Sequence, residues 1–279
     1  MQAFLQQHQE VPAPDALKDG IRCFWYDRRE AGDQSVDFEV IPDGYAEIVF
    51  PFGEVSRWLD SGEQEPLPSP FLLGLLSEPV RFHFTGTLEI IGVRCFPWTV
   101  FDLLELRPDG SPSDGDPLQQ IAHPVAGLQS ELRQLLETSK IDEALLRIGT
   151  YFLNQPASPA AGDRLSKAGK AMRAAKGTIP VSEVAAAAHT TVRTLERNFR
   201  QSSGHTVKDV SGLMRFEQAR NRLWSHPETR LAALAHDLGY ADQAHLSREF
   251  KRYSGVTPAA FARKAKKEQA AGFVVFVQA

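Results

Sequence analysis

The chain says one thing twice. Residues 181–207 read VSEVAAAAHTTVRTLERNFRQSSGHTV, and residues 231–258 read LAALAHDLGYADQAHLSREFKRYSGVTP. Superposed, Ala185 falls on Ala235 and His189 on Gly239. One extra residue then enters the second copy. After it Leu195 meets Leu246, Arg197 meets Arg248, Phe199 meets Phe250, Arg200 meets Lys251 and Gly204 meets Gly255. Each copy is a short apolar helix, a tight turn, and a second helix with basic residues among its apolar ones. That is the sequence form of a helix-turn-helix, whose second helix can lie in a DNA major groove. Two units are too few for a solenoid, which needs at least three. They read as two DNA-binding heads on one chain.

Each part of the repeat has a physical job. Small Ala185 and Ala235 let the first helix approach the second. The turn needs a positive φ, which Gly239 adopts freely and His189 less comfortably. Thr191 and Asp242 are the expected N-caps of the second helices, their oxygens accepting orphan backbone N–H groups. Leu195, Phe199, Leu246 and Phe250 anchor those helices to a core. That turns Arg193, Thr194 and Arg197 outward in the first copy, and Gln243, Ala244, His245, Ser247 and Arg248 in the second. Arg pairs bidentately with guanine and Gln with adenine. Arg200 and Lys251, later in each helix, suit phosphate, a role also given to Thr191 and Ser247.

Charge separates along the chain. The whole holds 31 Lys and Arg against 35 Asp and Glu, but residues 161–279 hold 20 against 10 and residues 1–160 hold 11 against 25. A basic half joined to an acidic one suits a nucleic-acid-binding domain tied to something else. One basic amphipathic helix would ordinarily be a solvated face. Two copies with matched spacing, both in the basic half, argue against that.

The length suggests about two domains, placed at 1–155 and 164–268. The first hundred residues read as strands and turns. Pro42-Asp43-Gly44 interrupts an apolar run. Val80, Phe82 and Phe84 alternate with polar residues, and Thr85-Gly86-Thr87 is expected to turn the chain into a further strand, LEIIGVRCF. A helix is expected after Pro97, a loop over 107–117, a helical hairpin from 128–136 and 141–153, and a linker over 155–163. The remainder reads as helical, with 207–224 a long helix joining the heads. The apolar tail 270–279 reads either as a docking strand or as a disordered end. The expected class is α+β, with a small β-barrel-like sensor domain and a helical hairpin ahead of an all-α domain holding two helix-turn-helix motifs.

The motif A-x-x-x-G-Y-x-D-Q-x-H-L-S-R-x-F-K-x-x-x-G-V-T-P, Ala235 to Pro258, and the weaker first copy L-x-R-x-F-R-x-x-x-G ending at Gly204, carry a specific resemblance. Residues 164–266 resemble the DNA-binding domain of the AraC/XylS family of transcription regulators. The resemblance implies a seven-helix domain with two heads that enter successive major grooves of double-stranded DNA. It places base reading on Arg193, Arg197, Gln243, Ala244, His245 and Arg248. Three departures stand out: His189 for a turn glycine, Val207 for a proline, and Ala244, too short for a polar base contact. They imply a less rigid first head. VIPDGYAEIVFPFG (40–53) and IIGVRCFPWTVFDLL (90–104) are similar to a barrel-like sensor domain found ahead of this module. That likeness implies a domain that binds a small-molecule effector, dimerises, or both, and RNA polymerase as a partner if the protein activates.

No catalytic function, cofactor or metal is expected. His83 alone lies in the strand region, with His8 and His123 outside it, and one histidine makes no three-ligand site. Cys23 and Cys95 lack metal-like spacing and are expected to be buried thiols. The alternative is a reactive Cys95, its pKa lowered by neighbouring Arg94. The N-terminus has no signal-peptide pattern and no run is long enough for a membrane span, so a cytoplasmic protein is expected.

Overall fold

Residues 6–104, 116–155 and 161–270 are described by a computed structural model. Among the described residues the first half forms eight strands: β1 (Gln6–Pro12), β2 (Ile21–Val40), β3 (Ala46–Phe52), β4 (Val55–Trp58), β5 (Gln64–Pro66), β6 (Phe71–Leu73), β7 (Val80–Cys95) and β8 (Leu118–Gln120). They form one antiparallel sheet in the order β1-β2-β7-β3-β6-β8, with β4 on the first part of β7 and β5 on β4. The hydrogen-bonded path is open, so the barrel-like expectation is met by a curved sheet and not by a closed barrel.

Thr85-Gly86-Thr87 does not reverse the chain. It lies inside β7, and the matching irregularity in β2 is a pair of register shifts around Gly32. Gly32 and Gly86 pair across the ladder with φ of +62° and +64°. A left-handed glycine in a ladder gives a bulge that bends the strand, and the sequence cannot tell that from a turn. Pro42-Asp43-Gly44 does turn, with Asp43 Oδ1 accepting from the Tyr45 N–H at 3.1 Å.

Alternation gives the sheet two buried faces. On one, Phe24, Ile48, Phe50, Ile91 and Val93 share a core with the helical hairpin, α2 (Gln129–Glu137) and α3 (Ile141–Leu153). Gly149 of α3 faces the Phe24 ring, where a Cβ would stand at 3.4 Å, in ordinary van der Waals contact. On the other face, Trp25, Val49, Phe71, Phe82, Leu88 and Ile90 pack under the bent end of the ribbon. The hairpin's apolar stripes are largely hidden by the chain's own sheet. Leu146 and Leu153 remain 70% and 44% exposed.

A short helix α1 (Val100–Leu103) follows a turn at Pro97. The second half is helical: α4 (Ala161–Ala174), α5 (Val181–Ala187), α6 (Val192–Ser203), α7 (Val207–Ser225), α8 (Leu231–Asp237), α9 (Gln243–Ser254) and α10 (Pro258–Ala270). The expected linker is shorter than its composition suggested, since 161–163 already belong to α4. Most of the expected 107–117 loop, the segment 156–160 and the tail beyond Ala270 lie outside the described residues. Among the described residues, no helix is long and apolar enough to cross a membrane.

The halves share a core. Leu75, Phe96 and Trp98 of the first half are buried among Leu165, Ala168, Met172 and Phe199 of the second. The Trp98 ring is fully buried and lies on α4 where Gly169 has no side chain; a Cβ there would stand 2.1 Å from it. Trp98 stacks on Phe96 at 5.2 Å between centroids and meets Phe199 of α6 at 6.0 Å.

Candidate nucleic-acid interface

The two repeats fold alike, element by element. α5 and α6 make the first head, and α8 and α9 the second. Ala185 and Ala235 are buried where the helices of each head meet, and Leu195, Phe199, Leu246 and Phe250 are fully buried. Both turns close in the same way. Thr190 N–H donates to Ala185 O at 3.0 Å, and Tyr240 N–H to Ala235 O at 2.9 Å. His189 holds the left-handed backbone of Gly239, with φ of +50° against +70°. The first turn therefore keeps the shape of the second, at the strain of a Cβ in that region.

Caps start and stop the second helices. Thr191 Oγ1 accepts from the Thr194 N–H at 3.2 Å, and Asp242 Oδ1 from the His245 N–H at 2.7 Å. Gly204 and Gly255 end the helices in left-handed conformations with φ of +74° and +73°. Val207 keeps a backbone N–H that proline would lack. That N–H donates to Glu196 Oε2 at 3.3 Å, and a Thr206–Asp209 capping box completes the start of α7. Glu196 corresponds to Ser247 in the second copy, which is too short for this reach. There Pro258 begins α10 and needs no acceptor.

Arg193, Arg197 and Arg200 on α6 and Gln243, Ala244, Arg248 and Lys251 on α9 are exposed, as their spacing required. Other candidates are less free. The Thr191 hydroxyl donates to Thr194 Oγ1 at 3.0 Å, so both hydroxyls serve the cap. Ser247 is half-buried. The His245 ring meets Tyr240 edge-on at 5.3 Å, its Nδ1 accepts from the Ala241 N–H at 3.4 Å, and its Nε2 lies 3.7 Å from Glu249. Arg200 also borders a cleft of about 920 Å³ against the 74–81 segment of the first half.

Val192 is absent from the sequence-derived set. It is 42% exposed at the start of α6, at the position equivalent to Gln243. The alignment of the copies held that signal, but an apolar residue draws no attention in a search for hydrogen-bonding side chains. An exposed valine there can meet a thymine methyl.

Residues 184–264 match a family model described as a helix-turn-helix domain, and residues 9–109 match one described as a domain of unknown function. The second half of the chain carries an AraC-type helix-turn-helix domain. A helix-turn-helix domain is a DNA-binding module. No curated protein sequence matches the chain. Among solved structures, ToxT from Vibrio cholerae is 10% identical, with 94% of this chain and 98% of that chain covered and a TM-score of 0.42. The DNA-binding domain of AdpA in complex with a target DNA is 22% identical over 39% of this chain and 96% of that one, with a TM-score of 0.35. The AraC-like transcriptional activator CuxR is 12% identical over 80% and 87%, with a TM-score of 0.29.

The remaining candidates take structural places. His83 Nδ1 lies 2.8 Å from Asp37 Oδ1, which also accepts from Trp58 Nε1 at 2.9 Å. His8 proves to lie in β1, contrary to the sequence reading. Among the described residues, no group of three His, Cys, Asp or Glu could hold a metal. Burial pushes the Cys23 thiol up to about 12 and the Cys95 thiol well above its ordinary value. Successive strand residues face opposite sides, so Arg94 acts electrostatically on Cys23, its partner across the ladder, and not on Cys95.

Proposed function

We propose that the chain is a sequence-specific transcription regulator and that α6 and α9 read separate major-groove segments of one double-stranded DNA site. Arg193, Thr194 and Arg197, with Val192, form the first reading set. Gln243, Ala244, His245 and Arg248 form the second. Arg200 and Lys251, with Thr191 and Ser247, position the heads on phosphate. The observation that carries this reading is the equivalence of Arg197 and Arg248: both exposed, on helices with matching caps, matching turns and matching buried anchors. Joined by α7, the heads meet the groove about one helical turn, or ~10 bp, apart. One head reads too little DNA, and the link makes the second binding step intramolecular.

Residues 1–155 are proposed as the regulatory and dimerisation domain and 164–268 as the DNA-binding domain of a cytoplasmic protein. Exposed Leu146 and Leu153 on α3 support a homodimer contact. Effector control acts through the first half, and RNA polymerase is a partner where the protein activates. The test is selection of preferred DNA by the full-length protein and by Arg197→Ala and Arg248→Ala. Each variant should lose on the order of 1–3 kcal/mol on the selected site and relax preference in its own half. Relaxation at the same base pairs by both would refute separate reading.

A further inference from the structure

The anchoring rings of the two heads are seated differently. In the second head, Phe250 of α9 meets Phe216 of α7 at 5.0 Å and Phe261 of α10 at 5.4 Å between centroids, edge-on in both cases. Both partners belong to the helical half. In the first head, Phe199 of α6 holds the equivalent place, and its ring neighbour is Trp98 of the first half, at 6.0 Å. Leu75, also of the first half, is 4% exposed and buried in the same core as Phe199. Close packing of this kind holds a helix in one orientation. The helical half therefore seats α9 with its own rings, whereas the seat of α6 is completed by the first half.

The segment between β6 and β7 reaches both heads. Leu75 enters the core beneath α6, and Pro79 approaches the C-terminal end of α9. A Cβ built on Gly255, the cap of that helix, would stand 3.9 Å from the Pro79 ring. His205 follows Gly204, the cap of α6, and lies between these ends. Burial lowers its pKa; Asp209 of α7 and the Leu75 backbone act against that, and Arg252 of α9 acts with it. One imidazole thus faces the first half, the joining helix and the second head. The helix α7 is one link between the heads, and the 75–79 segment is a second. Two links at separate points remove the rotation that a single link allows.

We propose that His205 and the 75–79 segment are positioning elements that fix the offset at which the two heads of one chain read DNA. This rests on the reading of α6 and α9 as separate base readers. Two base pairs inserted between the segments turn one against the other by about 70° and move it by about 7 Å. A rigid pair of heads cannot follow, and it loses the advantage of an intramolecular second step. A pair whose α6 has lost its outside seat can follow, so it tolerates the change.

The experiment uses the full chain as wild type, His205→Ala and Leu75→Ala. A preferred duplex is selected with wild type, then remade with one or two base pairs inserted or removed between its two segments. Wild type should bind the selected offset at least about tenfold more tightly than either two-base-pair change. Both variants should narrow that ratio to about threefold or less while keeping the base preference within each segment. A variant that merely folds less well lowers binding to every duplex alike and leaves the ratio where it was. Amide exchange without DNA gives a second readout: faster exchange at 192–203 in both variants, with 243–254 unchanged. An offset ratio equal to wild type in a folded variant would overturn the proposal, as would unchanged exchange in α6 or a wild type indifferent to offset. Should Leu75→Ala not fold, the half-buried His205→Ala decides by itself. A wild type that binds no duplex at low salt speaks against the regulator reading. Intact base preference in wild type with no preference for offset speaks against this positioning alone.

Discussion

At the scale of single residues, two side chains carry strain that can be measured. His189 stands where its counterpart is glycine, with a positive φ. His189→Gly should relieve a left-handed Cβ worth about 1–2 kcal/mol, offset in part by the added freedom of glycine in the unfolded chain. A net gain of up to about 1 kcal/mol in urea unfolding is expected, and a loss would show that the imidazole makes a contact worth more than the strain. Glu217 is the second. Burial raises its carboxyl to about 7, Asp43 adds to that, and Arg220, Arg22 and Arg94 oppose it. Between the ordinary carboxylate value and about 7 the folded protein keeps a proton that the unfolded chain has released, so stability falls as pH rises through that window. Glu217→Gln should therefore match wild type near pH 4 and exceed it above pH 8, by at most about 3 kcal/mol. Equal pH profiles for the two proteins would show that Glu217 titrates normally.

At the scale of elements, the heads show how one pattern tolerates substitution. Val207 at the start of α7 stands where a helix often begins with proline, and the helix starts cleanly because Glu196 takes its N–H. Glu196→Ala leaves that donor and the positive end of α7 without the carboxylate. A loss of about 1 kcal/mol is expected, with the first head affected and α9 untouched. Amide exchange reads this directly: faster exchange at 207–209 with 243–254 unchanged is the expected result. In the sheet, paired Gly32 and Gly86 bend one long ribbon instead of ending two short ones. Glycine between two strand-like runs signals a departure from regular backbone. Whether that departure is a turn or a bulge depends on what lies across the ladder, which is 54 residues away in the chain.

At the scale of the whole molecule, the two halves are predicted to unfold together. Trp98 sits on Gly169 and beside Phe199, so its removal opens a cavity that both halves line. Trp98→Ala should cost about 3–5 kcal/mol. Wild type should give one calorimetric transition, whereas two independent transitions would mean that the shared core contributes little. A fragment of residues 164–279 retains every proposed DNA contact but lacks Leu75, Phe96 and Trp98 from its core. It should bind DNA with steep salt dependence, since phosphate neutralisation releases counterions, and melt well below the full chain. A folded fragment that binds no DNA at low salt would place the interface elsewhere.

Residues close in sequence were legible from sequence, and residues close only in space were not. Both heads, their caps at Thr191 and Asp242, the left-handed turns at His189 and Gly239 and the α2–α3 hairpin follow from local periods and short-range hydrogen bonds. Those interactions span at most one or two helical turns, so a linear text contains them whole. Arg94 was read beside Cys95, its chain neighbour, but it acts on Cys23 across the ladder and pairs with Glu47 and Asp43. Trp98 read as part of an apolar run, and only the docked halves make it the plug of a shared core. Arg173 read as one more basic residue of a basic half. Packing alone brought it under Phe96, buried its Nη1 and left it facing a cleft made by segments distant in sequence. Charge and burial there are properties of the assembled junction, because the electric field and the access of water at a side chain are set by whatever the fold puts around it.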